Sequence, residues 1–474
     1  MNAPSHTVPG MMSLEEAARL LGASGPARTD IFLRVATDSR AVQAGDLFVA
    51  LRGERFDGHA FVAQALANGA VGAVVSASVP GLESSGPLIR VPDTAQALSD
   101  LAAAWRLEIN PQVVAVTGSN GKTSVKDMLA SILCGAAEGA GEDPQATVLA
   151  TEGNLNNTLG VPMTLLRLRA GHRWAVVEMG MNHPGEIAAM TRVAKPDVAL
   201  VNNVQRAHLG LLGSIEAVAR AKGEIYEGLS AQGVALIPAA DPLAPVLRGC
   251  AGSHRRLEFA LEPAGKAFSG VWGRTLAGME GEGGLFPGLE IFLDGEPVQV
   301  RLAVPGRHNL ANAVAAAAAA WALGIGPDAI KLGLERFQGV PGRLESKFSA
   351  RGVLILDDTY NANPDSVAAA IAVLAARPGR RILVLGDLGE LGEGAPALHA
   401  EAGVRARDAG IDDCFTLGEW SREASRAFGA QGRHFESAEA LVAMLLPQLN
   451  ADATVLVKGS RFMQMERVVE GLVR

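Results

Sequence analysis

Hydrophobic positions along the chain fall into two alternating patterns. Short, continuous apolar runs are separated by longer segments in which apolar residues recur with helical spacing. Strands buried on both faces of a parallel sheet read as continuous apolar runs, and the helices that connect them show the 3.6-residue period. The alternation therefore predicts a doubly wound parallel sheet. In the middle of the chain the predicted strands are Val113–Thr117, Trp174–Met179, Val198–Val201 and Val234–Ile237.

The same alternation resumes near Pro341-Gly342 and continues towards the end of the chain. It predicts a second, smaller α/β domain. The predicted strands are Val353–Leu356, Arg381–Leu385, Cys414–Leu417 and Thr454–Val457, and the predicted helices are at about Pro364–Ala376, Ala397–Ala409, Ser437–Gln448 and Phe462–Leu472.

The first part of the chain has a different pattern of predicted elements. Its predicted strands, Phe32–Asp38 and Gly45–Leu51, are short, and one amphipathic helix is predicted at His59–Asn68. Asn110-Pro111 is a typical break between elements, so the first domain boundary is predicted near Asn110.

The middle block ends with two features that are not part of the strand–helix alternation. Asp294-Gly295 separates two apolar runs within Leu289–Val304, which is typical of a β-hairpin turn. The segment Asn309–Pro327 is mostly alanine, and it is too weakly apolar for a membrane-spanning helix. It predicts a buried alanine-rich helix.

Composition narrows the class of protein. The 474 residues, 48% hydrophobic and 19% charged, suit about three globular domains. Lys+Arg 42 against Asp+Glu 50 gives a net charge of −8 without a basic stripe, so general nucleic-acid or membrane-surface binding is not expected. The three cysteines are far apart and form no CxxC pair, which argues against a disulfide framework or a structural zinc site. With no signal-peptide pattern, we expect a cytoplasmic protein.

The clearest chemical signal is a glycine-rich loop between a predicted strand and a predicted helix. It reads Thr117-Gly118-Ser119-Asn120-Gly121-Lys122-Thr123, followed by Ser124. Glycines let several backbone N–H groups face one anion at a helix N-terminus, Lys122 can reach the terminal phosphates, and the Thr123 hydroxyl can ligate Mg²⁺. Val116 stands where a strict P-loop has glycine or alanine, so this is a shorter GxxGKT variant. The motif alone does not separate a kinase, a GTPase, a motor or a ligase.

Three further polar residues follow predicted strands or lie on a predicted helix. Glu178 ends a strand and could hold Mg²⁺, or it could be a surface carboxylate. His208 follows the next strand and could bind a metal or phosphate, although a structural hydrogen bond is the commoner role. Lys222, taken alone, reads as a solvated helix lysine.

These pieces occur in one order that covers nearly the whole chain. The order is TGSNGKTS, NNTLGVPMTLL, VEMGMNHPGEI, NNVQRAHLG, AKGEIY, GRHNLANAVAA, VPGRLE, LDDTYNANP, GDLGELG and VKGSRFMQME, preceded by TDSRAVQAGDLFVALRGERFDGHAF. In this order the chain closely resembles the Mur ligases of peptidoglycan precursor synthesis.

The resemblance implies an activity and a fold. ATP would phosphorylate the free carboxylate of UDP-N-acetylmuramoyl-tripeptide, and the amine of D-alanyl-D-alanine would attack the acyl phosphate. The expected architecture is α/β with three domains. Residues 1–109 would form a small α/β domain that binds the UDP-sugar, and residues 110–341 a central P-loop-type doubly wound sheet with an added β-hairpin. Residues 342–474 would form a Rossmann-like domain that closes on ATP and admits the dipeptide.

The resemblance also implies roles for individual residues. Asn309 would contact the adenine, Arg343 the phosphates and Asp358 the ribose, although the neighbouring Asp357 leaves a one-residue ambiguity. Since Arg343 and Asp358 lie in the third domain, ATP would bind at the junction with the second. The expected catalytic residues are Lys122, Glu178, His208, Lys222 and Arg343. The expected metal ligands are Thr123 and Glu178 for Mg²⁺, His208 for a second metal, and Lys222 as a carbamate.

Substrate contacts are expected in two places. Ser39 and Arg40 would bind the nucleotide sugar, and Asn156, Asn157 and Thr158 would lie nearer the reacting end. The dipeptide pocket is expected near Asn361, Asn363 and Lys458. We expect a monomer that binds these small molecules, without nucleic acid and without membrane insertion.

Several alternatives stay open at this point. Another family branch adds a single diamino acid, but the DNPR motif of its diaminopimelate-adding members is missing here. A folylpolyglutamate synthase would have no use for the N-terminal DSR block. A P-loop NTPase that drives a conformational switch would need no amine substrate, and an inactive binding protein would need no competent side chains. The sequence leaves the third residue of the tripeptide undecided.

Overall fold

The computed structural model describes residues 10–23, 28–53, 56–76, 86–207, 209–263, 268–276 and 288–473. Three main sheets follow one another along the chain, with four, nine and six strands. Each sheet lies inside one of the three predicted ranges, and the predicted α/β class is confirmed. The positions of the domain boundaries stay predictions.

The N-terminal sheet contains four parallel strands in the order β3-β4-β5-β6. The helix predicted at His59–Asn68 is a 3₁₀ turn, Gly58–Phe61, that continues into an α-helix. Elements of this region are β1 Met12–Ser13, α1 Leu14–Leu20, β2 Ile31–Phe32, β3 Arg34–Ala36, β4 Asp46–Val49, α2 Val62–Ala67, β5 Gly72–Ser76, β6 Leu88–Val91 and α3 Thr94–Ile109.

The middle sheet has the strand order β15-β14-β13-β12-β11-β10-β7-β9-β8. Its strands are β7 Gln112–Thr117, β8 Val148–Ala150, β9 Trp174–Glu178, β10 Val198–Val201, β11 Val234–Pro238, β12 Arg255–Leu261, β13 Val271–Leu276, β14 Gly288–Leu293 and β15 Glu296–Arg301. The helices are α4 Lys122–Gly139, α5 Pro144–Thr147, α6 Gly160–Leu165, α7 Glu186–Ala194, α8 Leu209–Leu212, α9 Ile215–Gly223, α10 Ala244–Cys250, α11 Arg307–Ala322 and α12 Pro327–Arg336, and a 3₁₀ turn spans Glu224–Gly228.

Strands β7 to β13 run parallel, and β14 and β15 add an antiparallel hairpin at one edge. The predicted Asp294-Gly295 turn is present, since both residues have positive φ, at 49° and 90°. Two-residue hairpin turns with this twist need positive φ at both positions, which glycine and aspartate tolerate best.

The alanine-rich helix α11 is buried as predicted. Ala313 and the continuous stretch Ala315–Ala320 have no exposed surface. They share one apolar cluster with strand residues of the middle sheet and with helix α4. Small side chains allow a helix to be enclosed on all sides, because neighbouring backbones can then approach closely. This packing therefore holds the first residues of α11 in a fixed position relative to the middle sheet.

The C-terminal sheet has the strand order β16-β17-β21-β18-β19-β20, and β16 is its only antiparallel strand within residues 342–473. Its elements are β16 Glu345–Phe348, β17 Leu354–Asp358, α13 Pro364–Ala375, β18 Arg380–Gly386, α14 Ala395–Asp408, β19 Asp413–Leu417, α15 Arg422–Phe428, β20 Gly432–Phe435, α16 Ala438–Leu445, β21 Ala453–Lys458 and α17 Glu466–Val473. Short 3₁₀ turns lie at Gly392–Gly394, Leu446–Gln448 and Arg461–Met463.

The carboxyl ends of three adjacent strands meet at one edge of the middle sheet. Strand β7 lies between β9 and β10, so the loop after Thr117 is next to Glu178 and next to the residues that follow Val201. Ligands of open α/β sheets bind at this kind of edge. Among the helices that the structure describes, none is long and apolar enough to cross a membrane.

Close packing of helices α4 and α12 provides a test of the fold. A Cβ atom added at Gly333 would lie 2.2 Å from the Cα atom of Ile132. We expect Gly333→Ala to lower the free energy of unfolding by about 1–3 kcal/mol, since the backbones must separate. Gly139→Ala is the control, because nothing lies within 4 Å of the added atom. Urea unfolding of both variants checks this, and equal stabilities would contradict the packing described.

Candidate active site

A cavity of about 1680 Å³ lies between the middle and C-terminal sheets. Small-molecule sites commonly occupy about 300–1,000 Å³, so this cavity has room for more than one substrate. From the middle sheet it is lined by the glycine-rich loop, the ends of β9 and β10, and the start of α11. From the C-terminal sheet it is lined by Arg343, the end of β17, helix α13 and the segment after β21.

The glycine-rich loop has the backbone conformation that its sequence predicts. Gly121 has φ of 77° and stands at the N-cap of α4, so the first N–H groups of the helix are directed at the cavity. Lys122 Nζ donates to the carbonyl oxygen of Gly118 at 3.0 Å, across the turn of the loop. Burial lowers the pKa of Lys122, and the carboxylate of Glu178 partly opposes that effect.

Side-chain amides stabilise this loop through hydrogen bonds. Asn202 Nδ2 donates to Asn120 O and to Asn312 Oδ1, both at 2.9 Å. Asn312 Nδ2 donates to Asn309 Oδ1 at 3.2 Å, and Asn309 Nδ2 donates to Pro305 O at 2.8 Å. The chain of buried amides connects the phosphate loop to the start of α11. Asn309 and Asn312 therefore share one side of the helix, as their spacing predicts.

Glu178 lies at the wall of the cavity and is 1% exposed. Its Oε1 accepts a hydrogen bond of 2.7 Å from Asn156 Nδ2. Its Oε2 is buried and has no hydrogen-bond partner among the described residues. A buried carboxylate oxygen without a donor suits a hard divalent cation such as Mg²⁺, which prefers oxygen ligands. The Thr123 hydroxyl, one helical position after Lys122, is the second oxygen ligand that the sequence predicts.

The donor set for a metal is nevertheless small. No group of three or more His, Cys, Asp or Glu side chains close enough to hold a metal occurs in the part of the chain that the structure describes. His208, predicted as a ligand of a second metal, lies outside the described residues. An Mg²⁺ ion bound here would thus take most of its ligands from phosphate oxygens and water, as is usual for this ion.

Lys222 is buried in the last turn of α9, with 1% of its surface exposed. The interpretation as a solvated helix lysine is therefore wrong. Burial lowers the pKa of Lys222 well below its ordinary value, and repulsion by Lys122 adds to the effect. A buried ammonium group next to another cation is unfavourable, so this position disfavours the protonated amine.

Arg343 reaches across from the C-terminal side to the phosphate loop. Its Nη2 donates to Thr123 Oγ1 at 3.0 Å, and its guanidinium stacks on the ring of Tyr360 at 4.3 Å. Its Nε is buried and has no acceptor within the described ranges. An oriented guanidinium with a spare donor suits a phosphate oxygen.

Of the neighbouring Asp357 and Asp358, only the second lines the cavity. Asp358 lines the cavity, whereas Asp357 faces the other side of β17 and accepts from Lys347 Nζ at 2.6 Å. Lys458, which we expected at the dipeptide, donates to Asp358 Oδ2 at 2.7 Å and to Asn361 O at 2.9 Å. The two side chains neutralise each other, so Lys458 orients Asp358 in this arrangement.

Of the other predicted substrate residues, some reach the cavity and some do not. Residues that line it are Asn156, Asn157, Thr158, Asn361 and Asn363. Ser39 and Arg40 belong to the N-terminal region and are not among the lining residues. Arg40 is 85% exposed and pairs with Asp38, whose pKa its hydrogen bonds lower to about 2. Thr123 and Lys222 are likewise not among the lining residues.

Sequence reasoning missed several residues of the site. Asn202, Asn203 and Gln205 all contact the phosphate loop, and Arg206 binds two carboxylates of the C-terminal helices. All four belong to the segment NNVQRAHLG, in which only His208 received a role. The signal was their position, since polar residues directly after a buried strand face the ligand edge of such a sheet.

Three family models match the chain. One described as "Mur ligase family, catalytic domain" matches residues 34–106, and one described as "Mur ligase middle domain" matches residues 116–320. A third, "Mur ligase, glutamate ligase domain", matches residues 342–461.

Individual proteins are similar over almost the full chain. The UDP-N-acetylmuramoyl-tripeptide–D-alanyl-D-alanine ligase of Escherichia coli K12 is 44% identical over 444 residues, which cover 92% of this chain and 93% of that protein. A crystal structure of MurF from Acinetobacter baumannii has a TM-score of 0.86 at 36% identity and covers 98% of both chains. MurF ligase from Thermotoga maritima in complex with ADP has a TM-score of 0.79 at 29% identity, covering 93% of this chain and 96% of that one.

Gly121 offers a test of the phosphate loop. An added Cβ atom would lie 2.4 Å from Asn312 Oδ1 and 2.7 Å from Asn202 Nδ2, at a positive φ that alanine avoids. We expect Gly121→Ala to weaken ADP binding about ten- to a hundred-fold. Titration calorimetry measures the affinity. Gly135→Ala, in the same helix but with no atom closer than 3.5 Å, should bind ADP normally. Unchanged affinity in Gly121→Ala would show that the loop does not hold the nucleotide.

Proposed function

The chain belongs to the Mur ligase family, and from this premise we propose that it joins D-alanyl-D-alanine to UDP-N-acetylmuramoyl-tripeptide in an ATP-dependent step of peptidoglycan synthesis. One observation carries the proposal. A relative named for that reaction matches 92% of this chain at 44% identity, with the match extending through all three sheets. The ADP complex of the similar Thermotoga maritima structure supports a nucleotide in the same fold.

The proposed reaction has two chemical steps. A carboxylate oxygen of the tripeptide attacks the γ-phosphorus of ATP, so that a P–O bond forms as ADP leaves. The amine nitrogen of the dipeptide then attacks the acyl carbon, and the tetrahedral intermediate collapses with loss of phosphate and a proton. Both steps bring anions together, so catalysis depends mainly on positioned positive charge.

The residues at the cavity suit that requirement. Lys122 and the N–H groups at the start of α4 would bind the phosphates of ATP, and Arg343 would approach them from the other side. Glu178 and Thr123 would hold Mg²⁺, which supplies further charge neutralisation when bound. Asn309 at the adenine and Asp358 at the ribose, both at the cavity wall, complete the proposed nucleotide contacts.

Lys222 carbamylation stays a prediction that rests on the resemblance. Addition of CO₂ to the neutral amine, with release of one proton, would place an anion beside Lys122 where the protonated amine would place a second cation. Repulsion between two cations would then become attraction, which is a physical reason to expect the modification at this position. The second metal assigned to His208 likewise stays a prediction.

The nucleotide-sugar contacts also stay predictions. Ser39 and Arg40 would act if the UDP-sugar spans from the N-terminal region to the cavity, where Asn156, Asn157 and Thr158 would meet the tripeptide. Arg40 would have to leave Asp38 to pair with a pyrophosphate. The dipeptide pocket near Asn361 and Asn363, a cytoplasmic location and a monomeric state are expectations of the same kind.

One assay separates the proposed activity from its alternatives. Protein, ATP, Mg²⁺ and UDP-N-acetylmuramoyl-tripeptide are combined with D-alanyl-D-alanine, with single amino acids or with no amine, and phosphate release is measured. We expect release only with the dipeptide, together with a product of matching mass. A requirement for a single amino acid would indicate the diamino-acid branch of the family, and release with ATP alone would indicate an NTPase switch.

Lys122 should be essential in this assay. We expect Lys122→Met to lower kcat by about a hundred- to a thousand-fold, because one preorganised cation at the transferred phosphoryl group is lost. Arg192→Ala is a matched control, since that residue pairs with Glu227 on the surface of the middle region. Activity of Lys122→Met near that of the control would exclude the phosphate-loop mechanism.

The carbamate has its own test. We expect Lys222→Ala to be inactive and to be rescued in part by short carboxylic acids, which can occupy the space of a carbamate. Depletion of CO₂ and bicarbonate should lower the activity of the unchanged protein and leave the rescued variant unaffected. If neither depletion nor added acid alters activity, Lys222 acts as an amine.

A further inference from the structure

Arg206 ties the middle sheet to two helices of the C-terminal sheet. Its Nε and Nη2 donate to Asp365 Oδ1 at 3.0 and 2.8 Å, and its backbone N–H donates to Asp365 Oδ2 at 2.7 Å. Its Nη1 and Nη2 donate to Glu401 at 3.0 and 3.1 Å. Asp365 is in the first turn of α13 and Glu401 is in α14. One side chain therefore binds both helices.

The segment that carries Arg206 is itself bound to the phosphate loop. Asn203 accepts from Asn120 N and donates to Asn120 O, each at 2.9 Å. Gln205 N donates to Ser119 Oγ at 2.9 Å, and Ser119 Oγ donates to Gln205 O at 3.1 Å. Arg206 thus follows directly on residues whose positions are set by the phosphate loop. A displacement of the loop would therefore be expected to move Arg206 as well.

A second tie crosses the same junction nearby. Asn363 Nδ2 donates to Asn120 Oδ1 at 2.7 Å, and Asn363 is also the N-cap of α13, where its Oδ1 accepts from Ser366 N at 2.9 Å. The N-terminus of α13 is therefore positioned against the phosphate loop at two points, by Asn363 directly and by Arg206 through Asp365.

We propose that Arg206 is a positioning residue: by binding Asp365 and Glu401 it holds helix α13 against the phosphate loop, and so brings Arg343 to Thr123 and closes the nucleotide site. Arg343 belongs to the C-terminal side, so its contact with Thr123 requires that the two sides stay in register. At that junction the guanidinium of Arg206 binds two carboxylates, and charge-assisted hydrogen bonds of this kind are stronger than neutral ones.

The charges make this contact more than a surface ion pair. The side chains of Arg206, Asp365 and Glu401 are 30%, 24% and 38% exposed, so water screens them only in part. Arg405 also donates to Glu401, at 3.3 Å, on the outer side of α14. Without Arg206, two carboxylates of the C-terminal side, Asp365 and Glu401, would lose the cation that the middle region supplies. Loss of this ionic attraction should favour separation of the two sides.

The catalytic part of this inference rests on the proposed function, whereas its binding and shape readouts do not. ADP affinity and the solution arrangement of the domains can be measured whichever amine the enzyme uses. A failed dipeptide assay would overturn the proposed function and leave the role of Arg206 to be decided by those two measurements.

The test compares Arg206→Ala with Glu401→Gln and with the double variant. Glu401 is outside the residues that line the cavity, so Glu401→Gln removes one of the two ion pairs of Arg206 without altering the site wall. We expect each single variant to weaken ADP binding and to raise the KM for ATP about ten-fold, with little further change in the double variant. Small-angle X-ray scattering with saturating ADP should show a larger radius of gyration than for the unchanged protein.

Arg192→Ala is the control, since its partner Glu227 lies in the same middle region and no junction is involved. It should keep the ADP affinity and scattering of the unchanged protein. Circular dichroism verifies folding, and Arg206→Lys, which keeps the charge but loses the fork, replaces Arg206→Ala if the latter unfolds. Lysine should give an intermediate KM for ATP.

Two results would overturn the inference. Unchanged ADP affinity and scattering in both single variants would mean that Arg206 does not hold the junction. Loss of ligation in Arg206→Ala with normal ADP affinity and scattering would instead assign Arg206 to a direct substrate contact.

Discussion

The backbone of the loop between Thr117 and Thr123 has to stay in a conformation that directs its N–H groups at phosphate oxygens, and the rest of the site is built around that requirement. Gly121 provides the positive φ, but a glycine-rich loop does not hold itself in place. Amides of Asn202 and Asn203 supply the missing partners for the backbone of Asn120. Because these amides follow strand β10, the loop is fixed to the neighbouring strand and not only to its own.

This arrangement couples parts of the chain that are far apart in sequence. From Asn120 the contacts lead in one direction to Asn312 on the buried helix α11, and in the other to Asn363 at the start of α13. The contact with Asn312 is held in place, because α11 is enclosed by the sheet and by α4. The contact with Asn363 crosses the junction to the C-terminal sheet, and that junction depends on side-chain contacts. A bound nucleotide would therefore meet one fixed wall and one wall whose position depends on contacts such as those of Arg206.

The sequence predicted the strands with continuous apolar runs, because full burial on both faces leaves a pattern that no loop imitates. Strands β16 and β20 were missed. These strands, with the sequences Glu-Ser-Lys-Phe and Gly-Arg-His-Phe, lie at the two edges of the C-terminal sheet. Their polar residues give no apolar run, and their extended conformation depends on pairing with the neighbouring strand. Helix α3 was missed as well. Its apolar residues pack against the middle region, so the N-terminal sequence by itself does not show which side of the helix is buried.

The residues of the site also fall into two groups, those that the sequence could predict and those that it could not. The phosphate loop and Glu178 could be found because each follows a recognisable strand, and the residues of a sheet edge converge by topology. Burial of Lys222 could not be found, since α9 carries charged residues on its other positions and nothing local marks one lysine as enclosed. The pairing of Lys458 with Asp358 depends on the register of β17 with β21, which fixes these residues opposite each other. Tertiary register of this kind has no signature within either strand.

The acidic total charge and the anionic substrates are compatible because the cations at the cavity are not interchangeable. Lys458 is neutralised by Asp358, and Arg206 by two carboxylates, so neither has charge to spare for a phosphate. In the proposed mechanism Lys122, Arg343 with its unpaired Nε, and the N–H groups of α4 would meet the phosphates of ATP. In the proposed mechanism, cations paired with carboxylates position the site, and Lys122 and Arg343 would bind the anion. A chain of net charge −8 can therefore still offer a local anion site, because a few cations at the cavity matter more there than the total charge.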